Sequence, residues 1–254
     1  MWILQGNSLI QMRIFASQNR VRIIHSCLRQ AAASAAVAAV LHKEDTMLLQ
    51  DPLTRYPTLQ SCENEIEAAK DALIACFAAG GKVLLCGNGG SCAACDHIAG
   101  ELMKGFLLPR PLNDETKHAM KAQNPAIENE ILQKLQRGLP AISLPSMTAL
   151  NTAFCNDSDP DLVYAQSVMA LGRRHDVLIA ISTSGNAKNV NAAAHVAKGL
   201  GIKVIALTGK HGGSLGEIAD ICIHAPEGET FKVQELHLPI YHYLCAAIEH
   251  HFFA

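Results

Sequence analysis

Short apolar runs alternate with amphipathic stretches along the chain from about residue 60 to its end. Each run is four to six residues long and lacks the polar alternation of a half-exposed strand, which is typical of a strand covered on both faces. The predicted strands lie at 82–86, 141–144, 176–181, 202–207 and 221–224. The helical patterns lie at 61–79, just after 91, at 188–200 and at 231–252. This order predicts the α/β class, a doubly wound five-stranded parallel sheet flanked by helices, with ligands at the carboxyl ends of the strands.

One segment interrupts this alternation. Residues 107–139 are polar and contain several prolines, and two short helices are predicted within them, at 114–123 and 127–136. A connection of this length is more often a lid or an interface element than a slack loop. We therefore interpret 107–139 as an insertion in the domain.

The first 46 residues differ in composition from the rest of the chain. Arginines recur among them, and no acidic residue occurs before Glu44. Such a leader is either an organelle targeting peptide or an N-terminal extension, disordered or not native, with Met47 as the natural start. We favour the extension because nothing chemically informative occurs before residue 58. The predicted organisation is an extension at 1–46 and one domain at 47–254.

Charge and composition exclude some functions. The 254 residues include 21 Lys and Arg and 23 Asp and Glu, which gives a net charge of −2. A protein that coats nucleic acid, or binds a membrane through basic residues, would be strongly basic, so we expect neither partner. Hydrophobic residues make up 49% and charged residues 17%, enough apolar material for a core and for a subunit interface. No stretch approaches the roughly 18 apolar residues of a membrane helix.

The cysteines indicate a reducing compartment. There are nine of them, an odd number, scattered through apolar contexts without a secretory signal, and we interpret them as reduced thiols of a cytoplasmic protein. Cys92 and Cys95 form a C-x-x-C at a predicted helix start, where a metal or redox role is the alternative. Because neither a second ligand pair nor a thioredoxin-like context accompanies them, two packed thiols are favoured.

Two loops after predicted strands are candidate phosphate sites. Ser182-Thr183-Ser184-Gly185-Asn186 follows the third strand and opens a helix, so hydroxyls and backbone N–H groups meet at a helix N-terminus. An ordinary capping turn is the alternative. Gly87-Asn88-Gly89-Gly90-Ser91 has the same place after the first strand, but it lacks the G-x-G-x-x-G spacing and the P-loop lysine of nucleotide sites. Together the loops indicate a small phosphorylated molecule lying across the strand ends.

A metal site is the second chemical candidate. His97 and Glu101 are four residues apart on the second predicted helix, so both project from one face and could share a divalent ion. A surface ion pair is the plainer interpretation of such a pair. On the last helix, Gln234 and His242 lie about 80° apart around the axis. Spacing alone leaves His237 as a competitor of His242.

In this order the motifs resemble the sugar-isomerase (SIS) fold, and within it the bacterial phosphoheptose isomerases, over about residues 60–250. The resemblance rests on the two loops, on His97 and Glu101, and on further blocks at Asn156-Asp157, Leu207-Thr208-Gly209-Lys210, and Gln234-Glu235 with His242. It implies a flavodoxin-like SIS domain that assembles as a homotetramer with sites near the subunit boundaries.

The resemblance also implies the chemistry of the site. The substrate would be a small phosphorylated sugar, sedoheptulose 7-phosphate, converted to D-glycero-D-manno-heptose 7-phosphate through an enediol. One Zn²⁺ per subunit would be held by His97, Glu101, Gln234 and His242. Glu101 would take the proton, and His242 would return or relay one. The implied substrate-binding residues are Asn88, Gly89, Gly90, Ser91, Asn156, Asp157, Ser182, Thr183, Ser184 and Gln234.

Several positions depart from the family pattern. Phe231 stands where an aspartate is usual, Ala187 replaces a serine, and Gly105 replaces an arginine for which Lys104 could substitute. Pro239 should kink the last helix. These departures leave two alternatives open, an isomerase of another phosphosugar and a non-catalytic SIS protein that acts as a sugar-phosphate sensor or protein-binding regulator. The enzyme is favoured because all the implied ligand types are retained.

Overall fold

The computed structural model describes residues 51–254, and the predicted extension at 1–46 lies outside the described residues. The strands are β1 (Val83–Gly87), β2 (Ala141–Ser143), β3 (Val177–Ile181), β4 (Lys203–Gly209) and β5 (Ile221–Ala225). They form one parallel sheet in the order β2-β1-β3-β4-β5. The predicted fold class is therefore confirmed, and each strand ends within two residues of its predicted bounds.

Both faces of the sheet are buried, as the unbroken apolar runs predicted. In β1, the side chain of Leu85 joins one core and that of Leu84 joins the other. The register pairs Leu84 with Leu178 and Leu85 with Ile179, so neighbouring strands contribute to each core in step. Successive side chains of a strand point to opposite faces, which is why one short run supplies both cores.

Helices cover the two faces. One face carries α1 (Glu63–Ala78), α2 (Gly90–Met103) and, at the end of the chain, the long helix that we number α9 (Thr230–Phe253). The other helices, in chain order, are α3 (Asp114–Gln123), α4 (Asn129–Lys134), α5 (Thr148–Asp157), α6 (Val163–Leu171), α7 (Lys188–Gly199) and α8 (Gly213–Ile218). Of these, α6, α7 and α8 pack on the opposite face. Helix α2 follows β1 on one face and α7 follows β3 on the other, so the chain reverses sides between these adjacent strands, the position at which doubly wound sheets bind ligands.

The segment 107–139, interpreted above as an insertion, contains both predicted helices, one of them with different ends. Helix α3 has the predicted bounds, and its N-cap Asn113 accepts a hydrogen bond from the N–H of Thr116. Helix α4 is shorter than the predicted 127–136, because Glu128 and Leu135 have extended backbones and end it on both sides. The two ends of this excursion meet where the N–H of Arg137 donates to the carbonyl of Arg110 at 2.7 Å.

The last helix is continuous. Pro239 lies inside α9 and does not end it, so Gln234 and His242 belong to one helix. None of the helices within residues 51–254 has the length and apolar character needed to cross a membrane.

Candidate active site

The first part of the site is carried by α2, directly after β1. His97 and Glu101 lie one turn apart on this helix, with side chains 42% and 14% exposed, and the Nε2 atom of His97 is 3.3 Å from Oε1 of Glu101. The other carboxylate oxygen of Glu101 is 3.3 Å from Nζ of Lys104. The predicted His–Glu pair is therefore a real contact, with a lysine at its edge.

The last helix brings a second imidazole to this pair. The rings of His97 and His242 meet edge to face, with centroids 5.1 Å apart. The neighbouring Tyr241 shares a hydrogen bond of 3.0 Å between its hydroxyl and Nδ1 of His97. Two helices that are far apart in the sequence thus converge on one point, and the ring of Phe106 covers it, 5.6 Å from that of His242.

His237 takes a different place, although spacing left it as a competitor of His242. Its ring is buried, and its Nε2 lies 3.1 Å from the carbonyl oxygen of Thr208 at the end of β4. Because a carbonyl only accepts hydrogen bonds, Nε2 of His237 carries the proton and donates it. His237 therefore ties α9 to the sheet, whereas His242 contacts His97.

The environment keeps His242 uncharged and Tyr241 protonated. Burial, reinforced by the neighbouring His97, lowers the pKa of His242, and Glu101 acts in the opposite direction. Burial raises the pKa of Tyr241 to about 12. A neutral imidazole is the form that binds a metal or accepts a proton.

These residues fit a zinc ion in their chemistry. Two ligands of a tetrahedral zinc ion lie about 3.4 Å apart, given bond lengths of roughly 2.0–2.2 Å, close to the separation of His97 and Glu101. Nε2 of His242 is buried and has no hydrogen-bond partner among residues 51–254, which leaves it available as a ligand atom. In the same part of the chain, no group of three His, Cys, Asp or Glu side chains is arranged closely enough to hold a metal ion.

A cleft of about 440 Å³ adjoins these residues, between the start of α2 and the start of α9. Small-molecule sites commonly have roughly 300–1,000 Å³. Its lining includes four predicted site residues: Gly90, Ser91, His97 and Gln234. A Cβ atom on Gly90 would lie 2.7 Å from Nε2 of Gln234, so glycine leaves room for this amide in its present position.

The loop between β3 and α7 has the features of an anion site. Ser182 is buried and its N–H donates to the carbonyl of Leu207, but the N–H groups of Thr183 and Ser184 have no protein partner within residues 51–254. Gly185 has a φ of +68°, and a Cβ there would lie 1.8 Å from the carbonyl oxygen of Gly212. The tight turn thus requires glycine and leaves two N–H groups free at the carboxyl end of the sheet.

The β1 loop is braced from the opposite face of the sheet. The side chains of Asn88 and Asn189 hydrogen bond to each other at 2.8 Å and 3.1 Å, which links the loop to α7. The hydroxyl of Tyr164 donates to the carbonyl of Gly87 at 2.9 Å and lies 3.2 Å from Oδ1 of Asn88. Gly89 has a φ of +56°, which explains its place in this turn.

Two predicted substrate residues lie elsewhere in the chain. Asn156 and Asp157 end α5, are exposed, and hydrogen bond to each other at 2.8 Å. They are absent from the lining of the cleft. Their predicted role in sugar binding stays a prediction.

Sequence reasoning missed Tyr241 and Phe106. Tyr241 was detectable in principle, since it directly precedes His242 on the same helix. Phe106 was not, because it is far from His242 in the sequence and the two rings meet only in the folded chain.

The positions that depart from the family pattern have clear surroundings. Phe231 is 56% exposed and lines the cleft. Gly105 packs tightly, because a Cβ there would lie 2.7 Å from the carbonyl of Leu108. Cys92 and Cys95 are free thiols, and burial raises the pKa of both. Lys104, the expected substitute for an arginine, contacts Glu101.

Comparison with known proteins agrees with this geometry. Residues 56–137 and 151–247 each match a SIS domain model. The chain is 38% identical over 188 residues to the phosphoheptose isomerase of Burkholderia pseudomallei (strain 1710b), which covers 74% of this chain and 82% of the relative. It is 37% identical over 195 residues to that of Helicobacter pylori (strain P12), covering 77% of this chain and 88% of the relative.

Solved structures give the same result. The phosphoheptose isomerase of Francisella tularensis superposes with a TM-score of 0.63 at 32% identity, covering 82% of this chain and 97% of that one. The enzyme of Neisseria gonorrhoeae gives 0.61 at 30% identity, covering 84% and 96%. The β1 loop, the converging helices and these likenesses lead to one conclusion: the chain belongs to the phosphoheptose isomerases of the SIS family.

Proposed function

We propose that this protein is an aldose–ketose isomerase that interconverts sedoheptulose 7-phosphate and D-glycero-D-manno-heptose 7-phosphate. The observation that carries the proposal is the convergence of His97, Glu101 and His242, from two helices, beside a cleft of substrate size. The names of the relatives supply the substrate class. A hydroxyl-rich loop at the same edge of the sheet supplies a place for the phosphate.

The residues at this point suit a proton transfer between two carbons. In the direction from ketose to aldose, the carboxylate of Glu101 removes a proton from C1 and returns it to C2. The neutral imidazole of His242 takes the proton from the oxygen on C1 and relays it to the oxygen on C2, so that no net proton is gained or lost. A positioned acid or base of this kind typically contributes about 10²–10⁴-fold to the rate.

A zinc ion is the cofactor that we propose. Its ligands would be His97, Glu101, Gln234 and His242, and Tyr241 would orient the ring of His97 through Nδ1. When bound, zinc polarises the carbonyl and hydroxyl oxygens of the substrate as a Lewis acid. The buried, unpartnered Nε2 of His242 supports this assignment.

The substrate would span the crevice between β1 and β3. Its phosphate would lie on Ser182, Thr183 and Ser184, where two backbone N–H groups have no partner within residues 51–254, and on Ser91 at the first turn of α2. The remaining contacts would come from the rest of the predicted substrate set: Asn88, Gly89, Gly90, Asn156, Asp157 and Gln234. Of these, Asn88 is held in place by Asn189.

We also propose a homotetramer in the cytoplasm. Large apolar side chains remain exposed in the single chain, among them Met103 at 56%, Leu107 at 61% and Met169 at 60%. Exposed apolar surface of this kind is typical of subunit contacts. Free thiols such as Cys62 and Cys95 suit a reducing compartment.

The test compares the purified full chain with two variants, each of which replaces one glutamate by the uncharged glutamine. The wild type should convert sedoheptulose 7-phosphate to an aldose product, with ribulose 5-phosphate and fructose 6-phosphate as competing substrates. Glu101→Gln should lower kcat by roughly 10²–10⁴-fold while calorimetry still detects binding of the sugar phosphate. Glu115→Gln, the same change on the exposed face of α3, should leave kcat unchanged. Full activity in Glu101→Gln would refute the assigned base.

A further inference from the structure

A buried carboxylate on the last helix anchors the start of the insertion. Oε1 of Glu249 accepts hydrogen bonds from the N–H of Phe106 at 2.8 Å and from Nε of Arg110 at 2.7 Å. Oε2 accepts from the N–H groups of Leu107 and Leu108 at 2.6 Å and 3.0 Å. The side chains of Arg110 and Glu249 are both 0% exposed. Burial of a charge is costly unless it is paired and fully hydrogen bonded, and this carboxylate has four donors.

The same arginine also holds the end of α2. Its NH1 donates to the carbonyl of Leu102 at 2.7 Å, and its NH2 donates to the carbonyl of Glu101 at 3.3 Å. Helix α2 ends at Met103, so these carbonyls lie in its last turn, where no intrahelical partner is available. A cation at a helix C-terminus is also favoured by the helix dipole. Arg110 therefore joins the end of α2 to α9.

This link spans the two helices that build the active site. Glu101 lies on α2 at the point where Arg110 binds the backbone, and His242 lies on α9 two turns before Glu249. The ring of Phe106 lies against His242, and the N–H of the same residue is fixed by Glu249. The buried ion pair of Arg110 and Glu249 thus positions both the backbone of Glu101 and the residue, Phe106, whose ring covers His242.

We propose that Arg110 is a positioning residue for the isomerase reaction, anchored by Glu249, and that it fixes the carboxylate of Glu101 relative to the imidazole of His242. This inference rests on the proposed function. The competing view is that the pair only attaches the insertion to the domain. The two differ in what a conservative change at Arg110 does to the site.

The chain provides a matched control for this change. Arg110 and Arg137 both lie over the ring of Phe253, at 4.5 Å and 4.8 Å from its centroid. Nε of Arg137 is buried without a hydrogen-bond partner among residues 51–254. Lysine is a point charge that cannot reproduce the fork of a guanidinium. In Arg110→Lys one ammonium cannot serve both Glu249 and the carbonyls of α2, whereas Arg137→Lys loses no such contact.

The experiment measures zinc affinity, kcat, KM and thermal unfolding for the wild type and both variants. Zinc affinity is measured on metal-stripped protein in competition with a chromogenic chelator. Arg110→Lys should weaken zinc binding and lower kcat by about 10–100-fold each, the range seen when a residue that orients a ligand is lost. Its KM for sedoheptulose 7-phosphate should stay within about 3-fold of the wild type, because the phosphate loop is elsewhere. Arg137→Lys should keep zinc affinity, kcat and KM within about 2-fold of the wild type.

A second variant covers the case that Arg110→Lys does not fold. Arg110→Met combined with Glu249→Met removes both buried charges, a replacement that proteins often accept without loss of stability. It should show the same losses of zinc affinity and kcat. Wild-type values in either folded variant, or equal losses in Arg137→Lys, would overturn the positioning role alone. A wild-type chain that neither binds zinc nor converts the substrate would overturn the proposed function and this role with it.

Discussion

Acidification should destabilise this protein through His237, and replacement of that histidine by Gln should remove this part of the acid sensitivity. His237 is 2% exposed, and its Nε2 donates to the carbonyl of Thr208 at 3.1 Å. Burial lowers the pKa of His237 to about 4, with the hydrogen bond to Thr208 acting in the opposite direction. The folded protein therefore keeps this imidazole neutral down to about pH 4.

The size of the effect follows from the two states. In the unfolded chain the histidine has a pKa of about 6.5, so below that pH the unfolded state binds a proton that the folded state does not. Stability falls as the pH falls through this window, from about 6.5 down to about 4, where the folded form also takes up the proton. The full difference corresponds to about 3 kcal/mol, and about 2 kcal/mol of it is expressed between pH 7 and pH 5.

Urea unfolding at pH 7, 6 and 5 measures this for the wild type and His237→Gln. The Gln amide can still donate to the carbonyl of Thr208 but has no proton to gain. The free energy of unfolding of the wild type should therefore fall by about 2 kcal/mol more than that of the variant between pH 7 and pH 5. His195→Gln, on the exposed side of α7, controls for the loss of a histidine as such.

Subtracting the unfolding free energy of the variant from that of the wild type at each pH cancels the contributions of the titrating groups that the two proteins share. If the difference in unfolding free energy between wild type and His237→Gln is the same at pH 7 and pH 5, the argument from burial is wrong. A difference of the same size in His195→Gln would contradict it equally.

Three further outcomes follow from the structure. Gly185→Ala should lower the free energy of unfolding by several kcal/mol in a urea titration, because its Cβ would meet the carbonyl of Gly212 at 1.8 Å. The control Gly199→Ala has nothing within 4 Å of its Cβ and should be neutral or stabilising by up to about 1 kcal/mol. Tyr241→Phe should weaken zinc binding by about 10–100-fold in a chelator competition, because the 3.0 Å bond to His97 is lost, and an unchanged affinity would argue against a zinc ligand at His97. Dialysis against a chelator should abolish isomerase activity and added Zn²⁺ should restore it, and activity that survives complete removal would contradict the proposed cofactor.

The sheet was predictable because its strands are covered on both faces. In β1 all five residues are buried, so the apolar run stands out against the polar turns on either side. The insertion was less predictable. Ile127, Ile131 and Leu135 recur at helical spacing, but Leu135, just past the end of α4, is 44% exposed, so no packing extends the helix beyond Lys134. An apolar period predicts a helix only as far as something covers its apolar face.

The site was predictable in its parts and not in its connections. Strand-to-loop order placed both loops at one edge of the sheet, and the i, i+4 spacing placed His97 beside Glu101. Spacing could not decide between His237 and His242, because nearly every side of α9 is buried between residues 239 and 249. Arg110 and Glu249 could not be paired from the sequence, since an arginine in a polar segment is usually a solvated one.

The excursion between Arg110 and Arg137 is tied at its neck by a backbone hydrogen bond, and β2 begins only four residues after that tie. No residue of α3 is buried, so the outer part of the excursion owes little to the domain below it. A peptide attached in this way can lengthen, shorten or change its surface over evolutionary time while the strands keep their register. The outer part of this segment can therefore vary in sequence without a change to the strands that carry the site.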